Sequence, residues 1–67
     1  MEIKQINIVK KEYNGIDYYR IKFLDQESQF YSRREVNDII EYWQKDQLLG
    51  SFAIGYKLAK DAAITWE

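Results

Sequence analysis

The chain contains no cysteine, no histidine and no proline, and only three glycines among 67 residues. Lack of cysteine excludes disulfides, thiolate chemistry and Cys-ligated zinc, and it fits a reducing compartment. Lack of histidine removes the usual general base at neutral pH and the commonest metal ligand. No apolar run approaches the roughly 20 residues of a membrane-spanning helix. Met1-Glu2-Ile3-Lys4-Gln5 lacks the apolar segment of a signal peptide. These gaps point to a soluble, cytoplasmic protein with no cofactor, no metal site and no membrane partner.

A chain of this length makes one domain, residues 1–67. It buries only about 60% of the surface its unfolded form exposes, so each large apolar group counts. The net charge is −1, but residues 1–34 hold seven Lys/Arg against five Asp/Glu, and residues 35–67 hold three against six. This is a weak dipole, short of the basic patch of a committed nucleic-acid binder. Ile, Lys, Asn, Tyr and Phe supply 28 of the 67 residues, and all five have A/T-rich codons, a hint of an A/T-rich bacterial or phage genome.

The clearest structural signal lies between Ile6 and Phe23. Asn14-Gly15 is the strongest two-residue hairpin signal, because a type I′ turn needs positive φ at both central residues. With those two residues as the loop, Tyr13 opposes Ile16, Lys11 opposes Tyr18, Val9 opposes Arg20 and Asn7 opposes Lys22. On the other face Lys10 opposes Tyr19, Ile8 opposes Ile21 and Ile6 opposes Phe23. Turn and hydrophobic alternation select the same register, and a one-residue slip would turn the aliphatic face to water. Asp25-Gln26-Glu27-Ser28 reads as a second turn, with Phe23 opposite Phe30 and Lys22 opposite Tyr31. That places Phe30 in the core and Tyr31 on the basic–aromatic face.

Ser32-Arg33-Arg34-Glu35 has the form of a capping box. Val36, Ile39, Ile40 and Trp43 follow at helical spacing. Arg34–Asp38 and Glu41–Lys45 are spaced for i,i+4 pairing on the opposite side. The helix is expected to end near Asp46 or Gln47, with Gly50 as terminator. In residues 52–66, Phe52, Ile54, Tyr56 and Leu58 alternate with smaller or polar residues, and Ile64 and Trp66 resume the pattern after Lys60-Asp61. A turn through 60–62 sets Leu58 opposite Ile64 and Tyr56 opposite Trp66. The favoured fold is therefore α+β: a three-stranded antiparallel meander on one amphipathic helix, followed by a C-terminal β-hairpin (βββαββ). The alternative is βββαα, with a helix from Phe52 to Trp66.

Chemical motifs are weak. Gly50-Ser51-Phe52-Ala53-Ile54-Gly55-Tyr56-Lys57 resembles a phosphate-binding loop, but Tyr56 intervenes where Lys then Ser/Thr must follow the second glycine. Asp25, Glu27 and Ser28 fall short of a calcium loop, which needs oxygen ligands at more set positions. The carboxylates Glu35, Asp38 and Glu41 sit on a solvated helix face, whereas acid–base work needs unequal, partly buried environments. Ser28, Ser32 and Ser51 have no histidine to activate them, and no feature supports Lys45, Lys57 or Lys60 as a base. The chain reads as non-enzymatic, with no catalytic, cofactor-binding or metal residues.

That leaves surfaces. Val9, Lys11, Tyr18, Arg20, Lys22 and Tyr31 form a candidate contact surface of cations interleaved with aromatics. The bland alternative is an ordinary solvated face, with cationic stems over tyrosine rings and cations that blunt edge pairing. Asp38, Glu41 and Tyr42 on the helix flank form a second, acidic candidate. Six Tyr, three Phe and two Trp exceed what one small core hides, and Tyr and Arg are enriched at interface hot spots. The leading reading is a small binding protein acting through protein–protein contact, as a phage- or mobile-element-type modulator or inhibitor of a host factor would. The second is a nucleic-acid-binding module, for DNA or RNA, in which the sheet face stacks bases or enters a groove. A homodimer through a strand edge is compatible with both.

Overall fold

A computed structural model describes residues 2–45 and 55–67. The elements are β1 (Glu2–Tyr13), β2 (Ile16–Phe23), β3 (Gln26–Glu27), α1 (Arg33–Gln44) and β4 (Lys57–Trp66). They form one α+β unit, a four-stranded mixed sheet of order β3-β2-β1-β4 with α1 packed on one face. No helix among the described residues is long and apolar enough to cross a membrane.

The β1–β2 hairpin has the register that its turn and alternation specify. Asn14 and Gly15 both have positive φ (53° and 77°), and the pairs run from Tyr13↔Ile16 to Asn7↔Lys22. Ile6, Ile8, Ile21 and Phe23 are buried on one face, and Tyr19 joins them. Ser32 caps α1 as expected. Its hydroxyl accepts from the Glu35 N–H at 3.2 Å, and the Glu35 carboxylate accepts from the Ser32 N–H at 3.1 Å. Val36, Ile40 and Trp43 are buried and Ile39 is half-buried. The ring of Trp43 meets Phe23 edge-on at 5.2 Å. The helix ends at Gln44 with Lys45 as its cap; the expected terminator Gly50 lies outside the described residues.

The second turn differs from the expectation. It consists of Leu24 and Asp25, so Phe23 pairs with Gln26 and Lys22 with Glu27. Ser28 is the reason. It is 3% exposed, its N–H donates to the Ile21 carbonyl at 2.9 Å, and its hydroxyl accepts from the Ile21 N–H at 3.0 Å. Three residues after Ser28, and two before Ile21, Tyr31 and Tyr19 exchange both backbone hydrogen bonds at 2.7 Å. Between these contacts Gln29 and Phe30 together oppose Arg20, which is a β-bulge. The extra residue inverts the following side chains. Tyr31 packs against the core side, and Phe30 is 37% exposed on the outer face, the reverse of the expected placement.

Among the described residues the C-terminal segment is one strand, β4, and neither a hairpin nor a helix; Phe52 and Ile54 of the expected alternation lie outside them. It pairs parallel to β1, with Leu58 beside Ile3, Ile64 beside Ile6 and Trp66 beside Ile8. Lys60-Asp61-Ala62 contains no Gly or Asn to supply a hairpin turn. The break in alternation there is instead a register slip: β1 advances from Ile3 to Gln5 while β4 advances from Leu58 to Ala63. A parallel pairing needs a long crossover, and the path through α1 provides it.

Trp66 meets Tyr19 edge-on at 5.5 Å, and the Arg33 guanidinium lies over the Trp66 ring at 4.7 Å. This cluster closes one end of the core. Beyond it, Lys10, Glu12 and Asp17 are exposed on the core-side face, so the tip of the β1–β2 hairpin projects as a two-stranded ribbon.

Candidate contact surface

The outer face of the sheet is opposite α1. Cross-strand pairing sets Lys11 beside Tyr18 and Val9 beside Arg20, with Lys22 next along β2. These five residues of the expected set share the face; Tyr31 does not, and Phe30 stands in its stead. The Arg20 guanidinium lies 4.1 Å from the Phe30 ring centroid, and the Lys11 ammonium 5.8 Å from it. Stacking of this kind contributes about 0.5–1 kcal/mol at an exposed site.

The charge of the face is partly neutralised. Glu27 on β3 takes Arg20 Nη1 at 3.2 Å and approaches Lys22 Nζ at 4.0 Å. Among the described residues Arg20 Nε is shielded from water and has no hydrogen-bond partner, while the guanidinium lies over Phe30 and bonds Glu27 through Nη1. Lys11 is exposed nearest the hairpin tip. Tyr13 and Ile16, 63% and 55% exposed, extend the aromatic patch to the turn. Lys11, Tyr13, Tyr18 and Phe30 line a shallow hollow of about 280 Å³. That is just below the about 300–1,000 Å³ typical of small-molecule sites. An open depression of this size suits a side chain of a docked macromolecule better than a freestanding ligand.

The sequence signal for Tyr13 was its register position, opposite Ile16 on the face of Lys11 and Tyr18. Phe30 had none, because its face depends on the bulge. Asp38, Glu41 and Tyr42 are exposed on α1, in the other layer of the molecule, and do not join this surface. Glu41 is paired with Lys45 at 2.9 Å; its hydrogen bond, then its charge, raises the Lys45 ammonium above the ordinary lysine range. Among the described residues Arg34 and Asp38 form no ion pair, contrary to the spacing-based expectation. The phosphate-loop-like stretch falls mostly on residues 50–54, outside the described region, and Ser28 of the acidic turn is engaged with the β2 backbone.

No family model, curated protein or solved structure matches this chain.

Proposed function

We propose that this chain is a non-enzymatic protein-binding module whose outer sheet face docks an acidic segment bearing an apolar anchor residue. The observation that supports this reading is the hollow between Lys11, Tyr13, Tyr18 and Phe30, rimmed by the cations of Lys11 and Arg20. The hollow receives the anchor, and the Lys11 ammonium at its rim attracts a carboxylate beside it. Aromatic and Arg side chains at a patch centre are the usual carriers of interface energy. Capture of a segment on another protein is the mode of action of a modulator or inhibitor, and lack of cysteine suits work in the cytoplasm.

Glu27 favours this reading over nucleic acid. It occupies Arg20 and approaches Lys22, so among the described residues Lys11 is the cation of this face with no carboxylate partner, and one such cation beside the hollow suits a single flanking carboxylate better than a run of phosphates.

The test is selection from a displayed random-peptide library against the full chain. Enriched peptides are expected to carry Asp or Glu flanking an aromatic or aliphatic residue, and to lose binding to a Tyr18→Ala/Arg20→Ala double variant that retains its circular dichroism. Failure to enrich, or equal binding to the double variant, would overturn the reading. Labelled single- and double-stranded oligonucleotides serve as the control. Tight binding to them with a log–log salt slope near −0.9 per phosphate neutralised would assign the face to nucleic acid instead.

A further inference from the structure

β4 follows β1 only as far as Ile8, where the Glu67 N–H donates to the Ile8 carbonyl at 2.9 Å. That bond shows which way β1 points its backbone groups. Ile8 faces β4, so by the two-residue period Lys10 and Glu12 turn their N–H and C=O groups to the same side. No described residue pairs with them there. Among the described residues the outer edge of β1 from Val9 to Tyr13 is therefore an unpaired ladder of strand length.

The side chains on this stretch are mismatched within their own chain. Glu12 lies directly opposite Asp17, and both are exposed. Like charges in directly opposed positions destabilise a strand pair. Lys10, two residues from Glu12 on the same face, lies opposite Tyr19 and not opposite either carboxylate.

We propose that this edge pairs with the same edge of a second copy of the chain, antiparallel and centred on Lys11. In that register Lys10 of each copy opposes Glu12 of the other, and Val9 opposes Tyr13. The outward N–H and C=O groups of Lys10 and Glu12 meet their counterparts as hydrogen-bonded pairs. The carboxylate that repels Asp17 within its own hairpin gains an ammonium from the second copy. Tyr13, 63% exposed in the single chain, lies across from the half-buried Val9. The new ladder takes in Val9 to Tyr13, beyond the described pairs of β1 with β4, which run to Ile8. Lys11 faces its own copy at the dyad, which is the unfavourable contact of the pairing. Lys11 and Tyr13 also line the docking hollow, but Lys10 and Glu12, the pair that the test varies, lie on the opposite face of the ribbon, so the variants leave the lining of the hollow unchanged.

Sedimentation equilibrium of the full chain at low salt is expected to show a reversible monomer–dimer mixture. Lys10→Glu and Glu12→Lys, each alone, place like charges across the interface and are expected to weaken the dimer by about tenfold. The double variant Lys10→Glu/Glu12→Lys restores opposite charges and is expected to recover the wild-type association. An equimolar mixture of the two single variants is expected to form heterodimers. Glu12→Lys also removes the repulsion with Asp17, so its monomer is expected to resist urea at least as well as wild type. Lost association is thereby separated from lost folding. A wild-type chain that stays monomeric at millimolar concentration, a dimer indifferent to both reversals, or a double variant that fails to recover would overturn the proposal.

Discussion

The indole N–H of Trp43 donates to the carbonyl oxygen of Tyr56 at 3.1 Å, joining the last turn of α1 to the residue before β4. Phe23 stands edge-on to both rings, each at 5.2 Å. Trp43 thus connects the helix, β2 and the start of the parallel strand.

Trp43→Ala removes a 2%-exposed ring and is expected to cost about 3–5 kcal/mol in urea unfolding. That is a large share of what a small domain possesses. Trp43→Phe keeps much of the packing on Phe23 and gives up the hydrogen bond, so its cost should be smaller and should leave Tyr56 C=O in need of another donor. Equal losses in the two variants would mean that the hydrogen bond, and not the ring, dominates.

Ser28→Ala deletes the acceptor for the Ile21 N–H at a buried position. An unsatisfied buried donor costs about 1–3 kcal/mol. The expected outcome is a lower urea midpoint, with faster hydrogen exchange at the Ile21 amide than at the amides of the β1–β2 ladder.

Glu35 has its carboxyl held below the ordinary carboxylate range by the Ser32 backbone N–H and then by the Ser32 side chain. A depressed folded-state value means that this contribution is present above the unfolded-state value and is lost as pH falls through the folded-state value. Helix circular dichroism and thermal stability should therefore decline on acidification through that window. Glu35→Gln keeps a reciprocal acceptor for the Ser32 N–H but removes the titration, so its part of the pH dependence should vanish.

Phe30 and Tyr31 are adjacent in sequence and opposite in role. Phe30→Ala removes an exposed platform for Arg20 and Lys11 and should lower stability by no more than about 1–2 kcal/mol, while abolishing capture of the acidic peptides. Tyr31→Ala opens the core side beside Tyr19 and should destabilise the fold more. Its folded fraction should still bind those peptides. Binding and urea titrations of both variants separate the two roles.

The parts legible in the sequence are those where independent local signals agree. Asn14-Gly15 and the alternation of Ile6, Ile8, Ile21 and Phe23 select one register, and the structure has it. Ser32 and Glu35 mark the helix start in the same way. The second turn was illegible because Leu24 takes φ 52° without being Gly or Asn, and because a buried serine hydroxyl replaces a ladder acceptor. The bulge at Gln29-Phe30, which has no signature of its own in the sequence, then exchanged Phe30 and Tyr31 between faces, so one member of the candidate surface was wrong and its neighbour was missed. The period of residues 56–66 showed a strand, but a period of two carries no record of which strand lies alongside. The parallel partner is reached through the crossover by way of α1, and the slip at Lys60-Asp61 shows only in that pairing; both are tertiary facts.

The slip in β4 has a consequence for tolerance to changes in chain length. Where strand and partner run in strict register, losing one residue inverts every side chain beyond the loss. Between Leu58 and Ala63 the strand already holds surplus residues, and its two ladders, on Glu2-Ile3 and on Gln5 to Ile8, are set independently. Removal of Lys60 or Asp61 can be absorbed in the surplus, leaving Ile64 and Trp66 beside Ile6 and Ile8. The same removal at Thr65 falls inside a continuous ladder and turns Trp66 away from Tyr19. The irregular stretch thus works as an expansion joint in the sheet.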